Sequence, residues 1–482
     1  MNKTSMLKPT ILSISLLTIM ASSAISPALA KISAAFPEVD QTTIKLCLTL
    51  PSLFMIPFSL MSGWLVSRIS KKTVLLTGLA VYLAGGIGGG ISGSIFQLLM
   101  WRALLGVGVG LIMPLSVTFI TDFFEGEART KMMGLSGSVN QLGGMLFSLA
   151  AGLLVAISWR ATFGVYGLAF VTVAFVLLWL PESPQKASGA SKTGKLPGEA
   201  LLLAALGTLM MVIFFVVPTD IALFIQNERS VFSSEKPLFE NREQLLKSLE
   251  SGSMSEIMRQ AFTGQGIRLS PEARIAETVP KTEWTVTDGN SKFSVKKEST
   301  VSGKPLLTIY GHGIGTGQMA GLSLALLALS GSLAGMILSR VLKIFGSSAV
   351  AFALLLMAIG YGILGSASAP WMVFLAMPFI GIAGGIMTPP LMLRNAKIVP
   401  PALRSLSVAI LSSAILFGQF LSPLAMKAAT AVCKFCAGYA HPGQSAAYFA
   451  TAVFRFNFLA VLLLVMSTAG FFLTRKNRHD WL

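Results

Sequence analysis

Twelve apolar stretches of about twenty or more residues run through this chain. They lie at approximately 10–30, 43–66, 73–93, 96–121, 132–157, 161–180, 200–224, 314–338, 347–366, 370–392, 405–426 and 447–473. Each can cross ~30 Å of hydrocarbon as a helix rising ~1.5 Å per residue. In lipid every backbone polar group must be satisfied within the spanning structure, and none of these runs alternates polar with apolar as a barrel strand does. Helices are the element that remains. Composition points the same way. The 482 residues are 53% hydrophobic and only 12% charged, against ~25% charged in an average soluble protein. A soluble globule, a disordered chain and a disulfide scaffold are excluded by these figures. The expected fold is an all-α polytopic membrane protein with twelve transmembrane helices.

The net charge of +17 raises nucleic acid as a partner, and the placement of the charges argues against it. Between residues 227 and 311 lie 11 of the 20 acids and 12 of the 37 bases, so that segment is near neutral. The other bases mostly flank apolar runs. One set of loops and tails carries 18 of them, including Lys3, Lys8, Arg68, Lys71, Lys72, Arg129, Arg340, Arg394 and Arg475. The opposite short loops carry five: Lys31, Lys45, Arg160, Lys427 and Lys434. Lys and Arg accumulate on the cytoplasmic side, which puts both termini there and the segment 227–311 outside. The localisation expected is the inner (plasma) membrane. The first run, with Lys3 and Lys8 before it and Ala28-Leu29-Ala30 after it, also has the layout of a secretory signal. The alternation of basic loops works only if this run is retained, so it is read as a helix.

The chain repeats itself. Gly63-Trp-Leu-Val-Ser-Arg68 follows span 2, and Gly335-Met-Ile-Leu-Ser-Arg340 follows span 8. Gly106, Pro114 and Arg129 recur at the same spacings as Gly381, Pro389 and Arg404. The organisation expected is a six-helix bundle over 1–185, a cytoplasmic linker at 186–198, helix 7 at 199–226, an insert domain at 227–311 and helices 8–12 at 312–482. Paired helical repeats with breakers in corresponding places are the mark of secondary transporters. Gly106, Pro114, Gly381 and Pro389 are the candidate hinges; simple close packing is the competing role for such glycines.

With these motifs on the page, the sequence resembles the major facilitator superfamily over essentially all of its length except 227–311. The family's loop signature reads here Gly63-Trp64-Leu65-Val66-Ser67-Arg68-Ile69-Ser70-Lys71-Lys72, with Ser67 where an Asp is usual and Ser70 where a Gly is usual. Arg102-Ala-Leu-Leu-Gly106-Val-Gly108 is similar to the second motif. Pro218-Thr219-Asp220 and Gly315-Thr316-Gly317 resemble helices 7 and 8 of the bacterial drug/proton antiporter branch. The span 5 signature of that branch is incomplete, because Phe147 and Ser148 occupy its Gly-Pro. The resemblance implies alternating access, coupling to protons and a cytoplasmic gate. That gate maps to Gly63, Arg68, Lys71, Lys72, Asp122 and Arg340, with Asp122 pairing Arg68 or Lys71.

Charge in the hydrocarbon costs at least ~2.5–3.5 kcal/mol at the centre. Arg102 in span 4 is therefore either a buried cation near the solute pathway or a side chain that snorkels to the interface. Asp220 in span 7 is either a protonation site or a boundary residue, and Arg455 in span 12 is open in the same way. Asn140, Gln141, Gln318 and Gln419 are the polar candidates for lining a pathway, or for bridging helices. No phosphate-binding loop, metal cluster or nucleophile–base constellation is present in the sequence, so no cofactor, no metal and no enzymatic activity are expected. Cys433 and Cys436 allow a local disulfide and lack the further ligands of a zinc site.

The insert has helical spacing at Glu240–Glu250 and a second helical stretch at Ser255–Phe262. Glu283–Val295 alternates about Asp288-Gly289, which predicts a hairpin, and Leu306–Tyr310 can add a strand. A small α+β domain outside the membrane is the expectation. The chain as a whole is expected to be a monomeric transporter that exports small organic or drug-like solutes with protons as partner. Two alternatives stand beside it: a nutrient or metabolite uptake permease, and a membrane sensor that uses the insert as receptor.

Overall fold

The computed structural model describes residues 3–182, 197–226, 229–233, 271–279, 283–288, 291–299, 305–311, 315–367, 369–400, 403–440 and 452–476, with isolated positions between 247 and 259. The helices are α1 (Lys3–Ser23), α2 (Leu29–Ala35), α3 (Gln41–Val66), α4 (Lys71–Gly88), α5 (Ile95–Phe123), α6 (Gly126–Ile157), α7 (Ala169–Trp179), α8 (Gly198–Phe214) and α9 (Val216–Gln226). They continue as α10 (Gly317–Phe345), α11 (Ala349–Ser366), α12 (Pro370–Ile398), α13 (Arg404–Ala440) and α14 (Ala452–Lys476). Ten helical stretches among the described residues are long and apolar enough to cross a membrane. The apolar parts of α1 and α14 are shorter, Met6–Thr18 and Arg455–Thr468.

Short loops become helices where a side chain can satisfy the first free N–H groups. Asp40 accepts from Thr42 N to start α3, Ser70 accepts from Thr73 N to start α4, and Ser94 accepts from Gln97 N to start α5. Span 6 enters as a 3₁₀ stretch, Ala161–Leu168, before α7. Span 7 is cut into α8 and α9 at Phe215. The cause is Pro218, which has no N–H to return to the Phe214 carbonyl.

Contacts divide the chain into two compact units. The first is Met1–Leu223, Gly317–Lys427 and Phe456–Leu482, and the second is Phe224–Thr316 with Ala428–Arg455. Within the first unit α1 packs against α5, α6 and α7, with Ile11, Ile14 and Leu17 buried. Corresponding helices pair in corresponding ways: α5 lies on α3 and α4, and α12 lies on α10 and α11. The repeated glycines sit at these crossings. A Cβ on Gly106 would stand 2.8 Å from the Pro51 Cα, and one on Gly381 would stand 3.2 Å from the Gly331 N. Only a residue without a side chain lets these backbones close up.

The second unit contains a five-stranded antiparallel sheet of order β1-β5-β4-β3-β2. Its strands are β1 (Arg229–Ser233), β2 (Arg274–Val279), β3 (Glu283–Asp288), β4 (Ser291–Ser299) and β5 (Pro305–Gly311). The hairpin expected around Asp288-Gly289 is β3–β4, with Asp288 opposite Ser291 and Trp284 opposite Val295. The expected strand at Leu306–Tyr310 lies within β5, beside β4. Trp284 and Val286 are buried, two residues apart on one face of the sheet. The strands β1 and β2 escaped the sequence pattern, because Arg274 and Glu277 interrupt any apolar alternation in β2. The helices expected at Glu240–Glu250 and Ser255–Phe262 lie mostly outside the described residues, as do the side chains of Cys433 and Cys436. Gly315 N donates to Ile225 O at 3.0 Å, so the two ends of the 227–311 segment meet.

Candidate functional site

Counting charges by loop treats Lys45 as a loop base; in the structure it lies within α3. The Asp40 cap starts α3 at Gln41, so Lys45 sits one turn inside the helix and is buried. Its Nζ lies 2.6 Å from the Asp220 Oδ1 on α9, with the two side chains 6% and 1% exposed. Asp220 thus carries a partner that no local sequence pattern reveals. Thr49 and Ser52 continue the Lys45 face of α3 at helical spacing. Ser52 Oγ donates to the Gln419 Oε1 on α13 at 2.8 Å. At the rim, Lys427 Nζ reaches the Asp40 Oδ2 at 2.9 Å, both groups more than half exposed. The hydrogen bond from Lys427 holds the Asp40 carboxyl below its ordinary value of 3.8, against a smaller opposing effect of burial.

The two sequence halves also touch through backbone. A Cβ on Gly321 (α10) would lie 2.7 Å from both the Gly152 Cα and the Ser148 carbonyl oxygen on α6. Gly152 is near the end of α6 and Gly321 near the start of α10, on the same side of the bundle as Asp40. Ser26 Oγ donates to the Pro218 carbonyl. Four contacts that join the halves lie at this end of the bundle or in its middle: Ser26–Pro218, Lys45–Asp220, Ser52–Gln419 and Asp40–Lys427.

Behind these contacts lies a cavity of ≈ 220 Å³ shared by both halves. Ser26, Gly144 and Ser148 line it from the first half. Phe214, Phe215, Pro218 and Gly381 are among those lining it from the second. No charged side chain lines it. Three short hydroxyls (Ser23 is the third) and two phenyl rings face an otherwise apolar space. Such a lining suits an uncharged or amphiphilic organic solute. Among the described residues no three His, Cys, Asp or Glu gather as a metal site.

A family model described as Major Facilitator Superfamily matches residues 11–239. Multidrug resistance protein 3 of Bacillus subtilis is 32% identical over 123 residues, 25% of this chain and 24% of that protein. The arabinose-proton symporter of Escherichia coli is 28% identical over 128 residues, 26% of this chain and 27% of its own. The multidrug efflux pump SdrM of Staphylococcus aureus is 27% identical over 210 residues, 42% and 46%. The chain thus matches about a quarter of the length of the first of these curated relatives and less than half of SdrM. The fold likeness is wider. A crystal structure of the nucleoside transporter NupG superposes with TM-score 0.63 at 12% identity, over 96% of this chain and all of that one. A bacterial homologue of the lysosomal transporter Spinster, inward-facing and unoccupied, gives 0.62 at 14% over 98% and 97%. Over residues 11–239 the chain is similar to the major facilitator superfamily. It is a multi-pass membrane protein.

The superfamily's loop motif folds as its basic end requires. Ser70 caps α4, and Lys71 Nζ reaches the Asp122 Oδ2 at the end of α5 at 2.6 Å, largely buried. Of the two bases expected near Asp122, Lys71 makes the contact. Arg68 lies 4.1 Å over the Trp64 ring, and Lys72 Nζ donates to the Leu180 carbonyl at 2.7 Å. Gly63 has open space around it, and Arg340 is exposed. Arg129 closes the same corner by donating to the Phe124 and Thr121 carbonyls.

The superfamily's second motif places Arg102 inside the first half. It is fully buried and lies off the cavity lining. Nε donates to the Cys47 carbonyl at 2.6 Å and a guanidinium N–H to the Tyr166 hydroxyl at 2.7 Å. The side chain thereby ties α3, α5 and the 3₁₀ entry of span 6 together, and does not snorkel. Asn140 Oδ1 accepts from Thr18 Oγ1 at 3.4 Å, a bridge from α6 to α1. Gln318 is exposed at the start of α10, Gln419 bridges to Ser52, and Arg455 is buried at the start of α14. The Gln141 side chain lies outside what the structure describes. Pro114 and Pro389 lie inside α5 and α12.

Proposed function

We propose that this chain is a secondary active transporter that moves a small, uncharged or amphiphilic organic solute by alternating access, as a proton-coupled exporter of the plasma membrane. The observation that carries the reading is the cavity lined by both halves, joined by contacts at the Asp40 side of the bundle. By the distribution of Lys and Arg, that side is the outside, both termini are cytoplasmic and the 227–311 insert is extracytoplasmic. The state is then one closed to the outside. On this reading twelve spans form two six-helix lobes and the functional unit is a monomer. Gly106, Pro114, Gly381 and Pro389 serve as hinges. The loop around Gly63, Arg68, Lys71, Lys72, Asp122 and Arg340 forms the cytoplasmic gate, which closes when the outer contacts part. Arg102 and Asn140 hold the first lobe in shape. Asp220, Gln419, Gln318 and Gln141 belong to the pathway face.

Export is favoured by the drug-transporter relatives. The arabinose-proton symporter supports a second reading, uptake, through the same site. Purified protein in liposomes, with a panel of neutral and amphiphilic fluorescent solutes and an imposed proton gradient, tests both. Gradient-driven movement of a solute against its concentration is the expected result, and its direction relative to the gradient chooses between antiport and symport. If no member of a broad panel moves, while the protein is correctly inserted, the transport reading fails.

A further inference from the structure

We propose that the solute of this chain ends in a short linear apolar tail, and that Phe214 admits the tail to a methionine-lined pocket opening off the central cavity. The proposal rests on the transporter reading above and names the solute class the site takes. The pocket has a volume of ≈ 60 Å³ and lies wholly within the second half. Met210, Met211 and Met387 wall it, with Leu391 and Ile415 beside them, and Thr388 supplies its one polar side chain. Phe214 and Gly384 line both this pocket and the ≈ 220 Å³ cavity. A Cβ on Gly384 would stand 2.5 Å from the Phe214 Cε2, so one edge of the ring rests against bare backbone. The two spaces are neighbours with one phenyl ring between them. Along α8 the pocket takes the two turns before Phe214, and along α12 the two turns after Gly384. It continues the cavity lengthwise, away from Pro218.

Protein interiors are packed to crystal density, so an apolar void forfeits contact energy until something fills it. Water is a poor occupant: it needs two to four polar partners, and these side chains offer one hydroxyl. A hydrocarbon chain meets the walls as they are. Methionine is unbranched and polarizable, and it adapts to apolar ligands of varied shape. At ~15 Å³ for each occupying group, the pocket holds a chain of about four carbons. The polar head stays in the larger cavity, where Ser23, Ser26 and Ser148 offer hydroxyls and no charged side chain is present.

The backbone behind the pocket is tied down. Thr208 Oγ1 donates to the Ala414 carbonyl at 3.0 Å, Ser422 Oγ to the Val212 carbonyl at 2.8 Å, and the Tyr361 hydroxyl to the Ile213 carbonyl at 2.6 Å. What yields to a tail is therefore side chain: the Phe214 ring and the three thioethers. Because α8, α12 and α13 all belong to the second half, the tail stays with one lobe while the head faces both.

The probes are 4-alkylphenols with tails of one to eight carbons, and a 4-butylphenol that carries a diazirine on its tail. Protein in nanodiscs is irradiated with the photoprobe, and the adducts are mapped by mass spectrometry with and without excess 4-butylphenol. The expected result is an adduct on Met210, Met387 or Leu391 that the competitor removes. Affinity, referred to the free aqueous concentration, should rise about fourfold for each methylene up to about four carbons and then level off. Gly207→Leu puts a side chain into the pocket wall and should weaken 4-butylphenol at least tenfold more than 4-methylphenol. Met387→Ala enlarges the pocket and should extend the rise to longer tails. Size-exclusion profiles screen out misfolded variants. Competed adducts confined to Leu324 and Leu327 of the larger cavity overturn the proposal. So do adducts confined to the exposed Leu202 and Leu209 of α8, the absence of any competed adduct, or a tail-length profile that neither variant shifts. Flux of the same phenols is measured in liposomes. Flux without a pocket adduct rejects the pocket alone, and a competed pocket adduct without flux rejects the transporter reading alone.

Discussion

Consider Gly321→Ala. A methyl there would stand 2.7 Å from the Gly152 Cα and from the Ser148 carbonyl oxygen. Ordinary carbon contacts lie near ~3.5–4.0 Å, so the overlap is about 1 Å. Both obstacles are backbone, which cannot rotate aside, and α6 and α10 must part at their crossing. Overpacking of this kind costs typically ~1–3 kcal/mol. The cost falls only on the state in which these two helices touch. A difference of that size between two states changes their ratio by roughly 5–150-fold. Spin labels at the exposed positions Glu38 and Gln318, on a cysteine-free background, report the separation of the halves at this end of the bundle. The short-distance population should give way to a longer one in Gly321→Ala. Gly134→Ala, at a glycine with nothing within 4 Å, should leave the distribution as in the parent. If Gly321→Ala keeps the parental distances, the backbone contact does not hold this face shut, and the steric reasoning is refuted.

Tyr166→Phe removes the acceptor from a buried guanidinium and should destabilise the first half by about 1.5–3 kcal/mol, as for hydrogen bonds to charged groups. Thermal unfolding in detergent will show a lower Tm, whereas Tyr82→Phe, whose hydroxyl has no partner among the described residues, should be near neutral. The Asp40–Lys427 contact stabilises closure above the ordinary carboxyl value of 3.8 and loses that contribution only as pH falls through the lowered native value. Closure measured by the same spin labels in Asp220→Asn should therefore be flat between pH 8 and pH 5, and raising the salt should weaken the contribution of this exposed pair. Because Gly315 N bonds to Ile225 O, a short Gly/Ser turn can replace residues 227–313. The shortened protein should still elute as a single symmetric species, and aggregation on excision would show that the sheet is required for folding.

The helices were legible because hydropathy acts locally: twenty apolar residues announce a span wherever they occur, and Asp288-Gly289 announces a hairpin by backbone geometry alone. The site was legible only in part, because its contacts are not local. Asp220 could be flagged by the cost of a charge in lipid, but its partner stands 175 positions earlier. Lys45 was hidden by its place at the edge of an apolar run, where a base reads as a loop residue. Knowing that Asp40 caps α3 would have moved Lys45 inside, since a cap fixes where the helix begins. Arg102 shows the converse. Its burial cost was plain from the sequence, but its acceptors are a backbone carbonyl and a tyrosine hydroxyl, groups without a sequence signature. The charge that looked most functional therefore ties one lobe together, while the unremarked lysine joins two. A buried cation satisfied within its own lobe is indifferent to the rocking of the lobes, and one satisfied across them cannot be. Whether a membrane charge carries mechanism is decided by which body supplies its partner.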